Sequence, residues 1–457
     1  MTAMGGKGRI GILGMARSGR SVLRDALARG IDCLVYDDRP ESVAAAVAEG
    51  GRAGKVGDVA GLDALVVSPG VPLYFPAPHA VIAAARAAGV PLTSDIDLFA
   101  ERLAGRTVVG ITGTNGKSTT TALAHHLLVA AGRDAELGGN IGRPVLDLEL
   151  GGSGRVFVLE LSSYQLDLAL KLACQVAVLL NLTPDHLDRH GTFEAYVAAK
   201  RRLFELQPEG GVAVVGVDDA PSRALADALA AAGRKVIRIS ALGPVPGGVW
   251  AEGTLLVDGT GETPRTVADL AGIESLEGRH NRQNAAAAWA VLRALGVAAE
   301  AAVGGFASFR SLPHRMQTVA RAGAVRFVDD SKATNPEAAI PSLSSFAEIF
   351  WIAGGKPKPG GFAALLPHLA AVRGAWLIGE AAGEIAATLP AVMPRHLAGR
   401  LDVAVPEAFA AACTSNAPEP VVLLAPACAS FDQFTSYEAR GAAFATLARE
   451  LAEGVAA

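Results

Sequence analysis

The stretch Gly113-Thr114-Asn115-Gly116-Lys117-Ser118-Thr119 carries residue types suited to holding a polyphosphate. An apolar run, Val108–Thr112, precedes it, and an alanine- and leucine-rich segment from Ser118 follows, so it reads as strand, glycine turn and helix. The N–H groups of such a turn and of the helix N-terminus surround phosphate oxygens. Lys117 is expected to reach the β/γ-phosphates and the Ser118 hydroxyl to hold Mg2+. The pattern departs from G-x-x-x-x-G-K-[ST], because Ile111 stands where the first glycine belongs and Gly113 carries the bend. The expected ligand is ATP.

Further polar clusters end other apolar runs. Arg155–Glu160 reads as a strand with a carboxylate at its tip, and Gln175–Asn181 as a strand opening into Leu182–His190, which contains His186. Ligands of open parallel sheets sit at the carboxyl ends of strands, so Ser118, Glu160 and His186 are expected to converge. Lys200 lies on an amphipathic helix, Thr192–Leu206, where by default it is a surface lysine. His280-Asn281 opens another helix, where capping alone would account for both residues. Beyond Arg315, the strand Val325–Val328 runs into Asp329-Asp330-Ser331-Lys332-Ala333-Thr334-Asn335. The strand Ile349–Ala353 meets a second glycine/lysine turn containing Lys356 and Lys358, and Pro426–Phe434, with Ser430, precedes the closing helix Tyr437–Leu451.

The elements that must position these residues alternate as α/β throughout. Arg9–Gly14, the helix Ser18–Arg29 and Ile31–Asp37 form a βαβ unit with an acidic residue about 20 positions past the turn. Gly11-x-x-Gly14-x-x-x-x-Gly19 is not G-x-G-x-x-G, so it supports a nucleotide-like ligand better than NAD. Ala64–Val67, Ala80–Ala88 and Val90–Thr93 continue the alternation, and hairpins are expected over 243–264. The division expected is residues 1–95, 96–311 and 312–457. With 41 basic and 45 acidic residues, net charge −4, and no basic stripe, the chain is not expected to bind nucleic acid. Cys33, Cys174, Cys413 and Cys428 lack zinc spacing and are expected to be buried, reduced thiols. With no apolar run long enough to span a bilayer and no leader pattern, no membrane insertion and a cytoplasmic location are expected.

Taken together, Gly113–Ser118, Glu160, Asn181–His186, Lys200, His280-Asn281-x-x-Asn284 and Arg315 resemble the Mur ligases, which build the peptide stem of bacterial peptidoglycan. The likeness covers essentially the whole chain. Folylpolyglutamate synthases share part of the pattern; Asp330–Asn335, Glu160–Leu166 and Pro426–Phe434 look like the branch that adds D-glutamate. The resemblance implies an N-terminal Rossmann-like domain for the UDP substrate, a central P-loop ATPase domain with a mostly parallel sheet, and a C-terminal Rossmann-like domain for the amino acid. It implies ATP-dependent ligation of D-glutamate to UDP-N-acetylmuramoyl-L-alanine through an acyl phosphate, and action on small molecules; a monomer is expected.

The resemblance also implies roles for residues. Lys117, Glu160, His186 and Lys200 would be catalytic. Gly113, Thr114, Asn115, Gly116, Lys117, Ser118 and Thr119 would hold ATP together with Asn281, Arg315 and Asp330. Ser118 and Glu160 would hold one Mg2+, and His186 and Lys200 a second, Lys200 as a carbamate formed with CO2 because an ammonium is repelled by Mg2+. Arg17, Ser18, Asp38, Arg39, Asn140, Ser162 and His186 would contact the UDP substrate, although Asp38 departs from the neutral hydroxyl residue often found there. Lys332, Thr334, Lys358, Ser430 and Tyr437 would surround D-glutamate, with Lys356 as an alternative to Lys358. A P-loop kinase or ATPase is the reading from another class, and it would not need the clusters at Asp330–Asn335 and Pro426–Phe434.

Overall fold

The computed structural model describes residues 8–358 and 360–456. The chain folds into two compact units: residues up to Asp269 with Gln283–Phe306, and Leu270–Arg282 with Ala307 onward.

The first unit holds two sheets. The smaller runs in the order Arg52–Ala53, Asp32–Tyr36, Arg9–Leu13, Ala64–Val67, Leu92–Thr93, all parallel. This is the doubly wound order in which a crevice opens beside the first strand. The helix Arg17–Ala28 packs Val22, Leu23 and Ala26 into the core, and Gly19 makes its close start possible: a Cβ there would lie 1.9 Å from the Gly14 carbonyl oxygen. That contact accounts for a glycine spacing unlike the dinucleotide fingerprint.

The larger sheet runs in the order Arg265–Asp269, Leu255–Asp258, Val249–Glu252, Lys235–Ser240, Val212–Gly216, Val176–Leu179, Thr107–Thr112, Val156–Glu160, Ala135–Gly139. It is parallel from Ala135–Gly139 to Val249–Glu252, and the remaining pairs are antiparallel hairpins, which begin in the expected region 243–264 and continue past it to Asp269. Val108, Val109, Phe157, Val158 and Leu159 are fully buried, as strands covered on both faces require. The helix Phe193–Glu205 starts at the expected cap, with Thr192 Oγ1 accepting from Ala195 N. The two sheets are joined by Ser21 and Arg24, whose side chains bond the Asp147 carboxylate at 2.8 Å each.

In the second unit the order is Gln317–Ala322, Val325–Asp329, Val421–Leu424, Ile349–Gly354, Val372–Ile378, Arg395–Gly399, parallel except for the first pair. The closing helix is longer than expected, Tyr437–Ala456. Cys33, Cys174 and Cys428 are buried as expected, and burial pushes the Cys33 thiol up to about 11 and the Cys174 thiol to about 12. Cys413 is exposed, contrary to expectation, because the chain leaves the core at the end of the helix Leu401–Ala412.

Candidate active site

The phosphate loop leaves the strand Thr107–Thr112 and enters the helix Lys117–Ala130 through Gly116, whose φ is +83°. A Cβ at Gly116 would stand 2.3 Å from Asn284 Oδ1, the atom that accepts from Thr120 Oγ1 at 3.1 Å. No L side chain suits that backbone or that space. Asn181 holds the loop from the neighbouring strand end. Its carbonyl accepts from Thr114 N at 2.9 Å, its Oδ1 accepts from Asn115 N at 2.8 Å, and its Nδ2 donates to the Asn115 carbonyl at 3.2 Å. Lys117 is bent back, donating to the Gly113 and Thr114 carbonyls at 2.9 and 2.7 Å, and Ser118 is buried beside it.

Register brings Glu160 level with Ile111 on the adjacent strand, so its carboxylate lies at the mouth of the loop. It is 2% exposed; Oε1 accepts from Asn140 Nδ2 at 2.7 Å, whereas Oε2 is buried without a partner. Lys200 overturns the default reading: it is 2% exposed, and its ammonium donates to the Gly113 carbonyl at 2.8 Å and Thr112 Oγ1 at 3.3 Å. Tyr196 lies under it, 4.7 Å from the ring centroid, and is held by Thr114 Oγ1 at 2.9 Å. Burial, then the Lys117 charge, holds the Lys200 amine well below its ordinary range. His186 caps a short helix with φ +54°, its Nδ1 3.0 Å from the Tyr164 hydroxyl and its Nε2 3.4 Å from Asp185. Desolvation, then Lys117 and Lys200, pushes its imidazole down against the pull of Asp185. Ser118, Glu160, His186 and Lys200 therefore share one strand-end crevice.

These groups suit Mg2+. The partnerless carboxylate oxygen of Glu160 and the hydroxyl of the buried Ser118 are hard oxygen donors, and a small cation bound with substrate phosphates takes one or two carboxylates and fills its shell with phosphate and water. Among the described residues no group of three or more His, Cys, Asp or Glu is arranged to hold a metal on its own.

The first sheet places its candidates around its own strand ends. Arg17 bonds the Gly142 carbonyl, and Ser18 bonds the buried Asp95, whose carboxyl burial raises to about 6. Asp38 is exposed and 3.0 Å from His79, and Arg39 starts the next helix beside Asp37. Ser162 caps the helix Ser163–Leu168 in a reciprocal box with Gln165, so its hydroxyl also has a structural task.

The second unit gathers its own cluster at the ends of Val325–Asp329, Ile349–Gly354 and Val421–Leu424. Asp330 is buried, which raises its carboxyl to about 7 despite help from Ser342 and Arg315. Lys332 sits 3.8 Å from the Tyr437 ring centroid, a cation–π contact. Ser430 is buried, Thr334 half-buried, and Lys356 and Lys358 exposed. Asn281 bonds the Glu277 carbonyl from the first turn of Arg279–Ala294.

Two family models match, the Mur ligase middle domain over residues 111–292 and the Mur ligase glutamate ligase domain over 314–428. The chain is 49% identical to the UDP-N-acetylmuramoylalanine–D-glutamate ligase of Rhizobium etli over 95% of this chain and 93% of that one. It is 48% identical to the ligase of the same name from Caulobacter sp. strain K31, over 95% and 94%. The chain belongs to the Mur ligase family. Its fold also matches the crystal structure of MurF ligase from Thermotoga maritima in complex with ADP, with a TM-score of 0.58 at 20% identity, over 86% of this chain and 90% of that one.

For this Mur ligase, the structure gives tasks to residues to which the sequence assigned no role. Asn181 and Asn284 brace the phosphate loop, Thr112 and Tyr196 cradle Lys200, and Tyr164 meets His186. Arg440, 1% exposed, binds the carbonyls of Gly354, Cys428, Ala429 and Ser331, which ties together the three strand-end loops of the second unit. Asn181, Asn284 and Tyr164 stand inside the motifs singled out in the sequence, whereas the only local signal for Thr112, Tyr196 and Arg440 was their place on an element that carries or adjoins a candidate residue.

Proposed function

We propose that this enzyme joins D-glutamate to the alanine carboxylate of UDP-N-acetylmuramoyl-L-alanine, with ATP converted to ADP and phosphate, in the cytoplasmic assembly of peptidoglycan precursors. Residues 1–95 hold the UDP substrate through Arg17, Ser18, Asp38 and Arg39, residues 96–311 hold ATP, and residues 312–457 hold D-glutamate. No helix among the described residues is long and apolar enough to cross a membrane.

A carboxylate does not acylate an amine at neutral pH, so its oxygen first attacks the γ-phosphorus, the bond to ADP breaks, and an acyl phosphate forms. The amine of D-glutamate then attacks the acyl carbon, loses a proton, and phosphate leaves. Both steps bring anions together, which calls for cations fixed in a dry site. Lys117 exchanges its two carbonyl partners for phosphate oxygens, while Gly113–Thr119 wraps the phosphates, with Asn281, Arg315 and Asp330 on the rest of the nucleotide. Ser118 and Glu160 would hold one Mg2+ and His186 and Lys200 a second, and the bound cations would supply positive charge against the phosphate oxygens. Asn140 and Ser162 position the muramoyl end. Lys332, Thr334, Lys358, Ser430 and Tyr437 hold the two carboxylates and stem of D-glutamate.

Lys200 needs to become an anion for this role. Its depressed amine is neutral more readily than an ordinary lysine, and a neutral amine adds to CO2, forming an N–C bond and releasing a proton. The observation that carries the whole reading is the partnerless Glu160 oxygen beside the phosphate loop and the buried Lys200. Phosphate release that requires UDP-N-acetylmuramoyl-L-alanine, D-glutamate and Mg2+ together is the expected result. Release without the muramoyl substrate would instead favour a simple ATPase. Lys200→Ala is expected to lose activity and regain part of it with acetate or bicarbonate; full activity without them would overturn the carbamate.

A further inference from the structure

His186 is not held by its loop alone. Tyr164, at the start of the helix Ser163–Leu168, places its hydroxyl 3.0 Å from His186 Nδ1, and the two rings lie 4.9 Å apart. Behind Tyr164, His190 packs at 5.7 Å, and Tyr196 packs on His190 at 5.6 Å, ending in the contact with the Lys200 amine. His190 is itself tied to Ser163 Oγ at 3.0 Å. On the other side, the Arg189 guanidinium sits 5.5 Å from the Tyr164 ring centroid and is anchored on Asp167 and the Val71 carbonyl. One aromatic column thus runs from His186 to Lys200, and Tyr164 is its member with a polar atom on the imidazole.

We propose that Tyr164 is a positioning residue for the reaction, whose hydroxyl on Nδ1 sets the His186 ring so that Nε2 is the nitrogen presented to the cation. This rests on the reading that His186 holds a metal. The physical ground is that an imidazole has two nitrogens and a free ring rotation, so a ligand histidine is selected and oriented by the hydrogen bond on its other nitrogen. Nδ1 is the nitrogen occupied by Tyr164, which leaves Nε2, the one beside Asp185, for the ion. Phenylalanine at 164 would keep the ring packing and lose only the oxygen.

Tyr164→Phe tests this in the full chain. Mn2+ binding followed by electron paramagnetic resonance, in the presence of a non-hydrolysable ATP analogue and the muramoyl substrate, is expected to weaken by about 10-fold. The nitrogen-15 resonance of His186 Nδ1 is expected to move, while KM for D-glutamate stays within about twofold of the native value. A melting temperature like that of the native protein would show that the column still packs. Unchanged Mn2+ affinity and an unmoved Nδ1 resonance would overturn the proposal. His186→Ala separates the two claims: if it leaves Mn2+ binding intact, the metal assignment of His186 fails. If it weakens binding and Tyr164→Phe does not, only the role of Tyr164 fails.

Discussion

Lys200→Met replaces a buried amine with an apolar side chain of nearly equal length, and the structure predicts a more stable, inactive protein. Lys200 and Lys117 both donate to the Gly113 carbonyl oxygen, at 2.8 and 2.9 Å, so their nitrogens are under about 6 Å apart. At an effective dielectric of about 20, two unit charges at that distance repel by about 3 kcal/mol. Losing the two Lys200 hydrogen bonds, to the Gly113 carbonyl and Thr112 Oγ1, costs about 2 kcal/mol in the other direction, and the carbonyl keeps Lys117 as a donor. The expected net gain is about 1 kcal/mol where both amines are charged. Its pH dependence has a definite sign. The Lys200 pKa is depressed in the folded state, so between that value and the ordinary 10.5 the native protein binds fewer protons than the unfolded chain. Native stability therefore rises with pH through this window. The methionine variant lacks that rise, so its advantage is largest below the folded-state pKa and vanishes above about 10.5. Urea unfolding from about pH 6 to about pH 10 in CO2-depleted buffer reads the difference. Phosphate release should fall by at least about 100-fold. A variant that is less stable than the native protein near neutral pH, or that remains active, would refute the reasoning.

Two other perturbations follow from the same geometry. Gly116→Ala forces a Cβ onto Asn284 Oδ1 at a φ of +83°, and is expected to lower stability by about 2 kcal/mol and to raise KM for ATP, read by thermal melting and initial rates. Asp330 has its carboxyl raised to about 7 from 3.8, so across that range the native state binds more protons than the unfolded chain and loses stability as pH rises. Asp330→Asn cannot ionise and should show a flatter stability profile, with its gain over the native protein greatest above about pH 7; parallel profiles would contradict this.

Much of the molecule is legible in its residues alone. Apolar runs of strand length alternating with amphipathic segments set the α/β class. The glycines, Lys117 and Ser118 mark the phosphate loop because that chemistry is written in contiguous residues. Glu160 and His186 could be placed at strand ends for the same reason. Tertiary structure alone decided how dry those groups are and which further side chains meet them. Lys200 looks like a surface lysine on an amphipathic helix, yet packing that helix against Thr107–Thr112 buries its amine over a carbonyl that Lys117 also uses. The partnerless oxygen of Glu160, the bracing of the loop by Asn181 and Asn284, and the hold of Tyr164 on His186 are likewise invisible in spacing. Local pattern encodes propensity and periodicity, whereas burial and charge environment are sums over neighbours brought together from far along the chain, and only the folded arrangement supplies those.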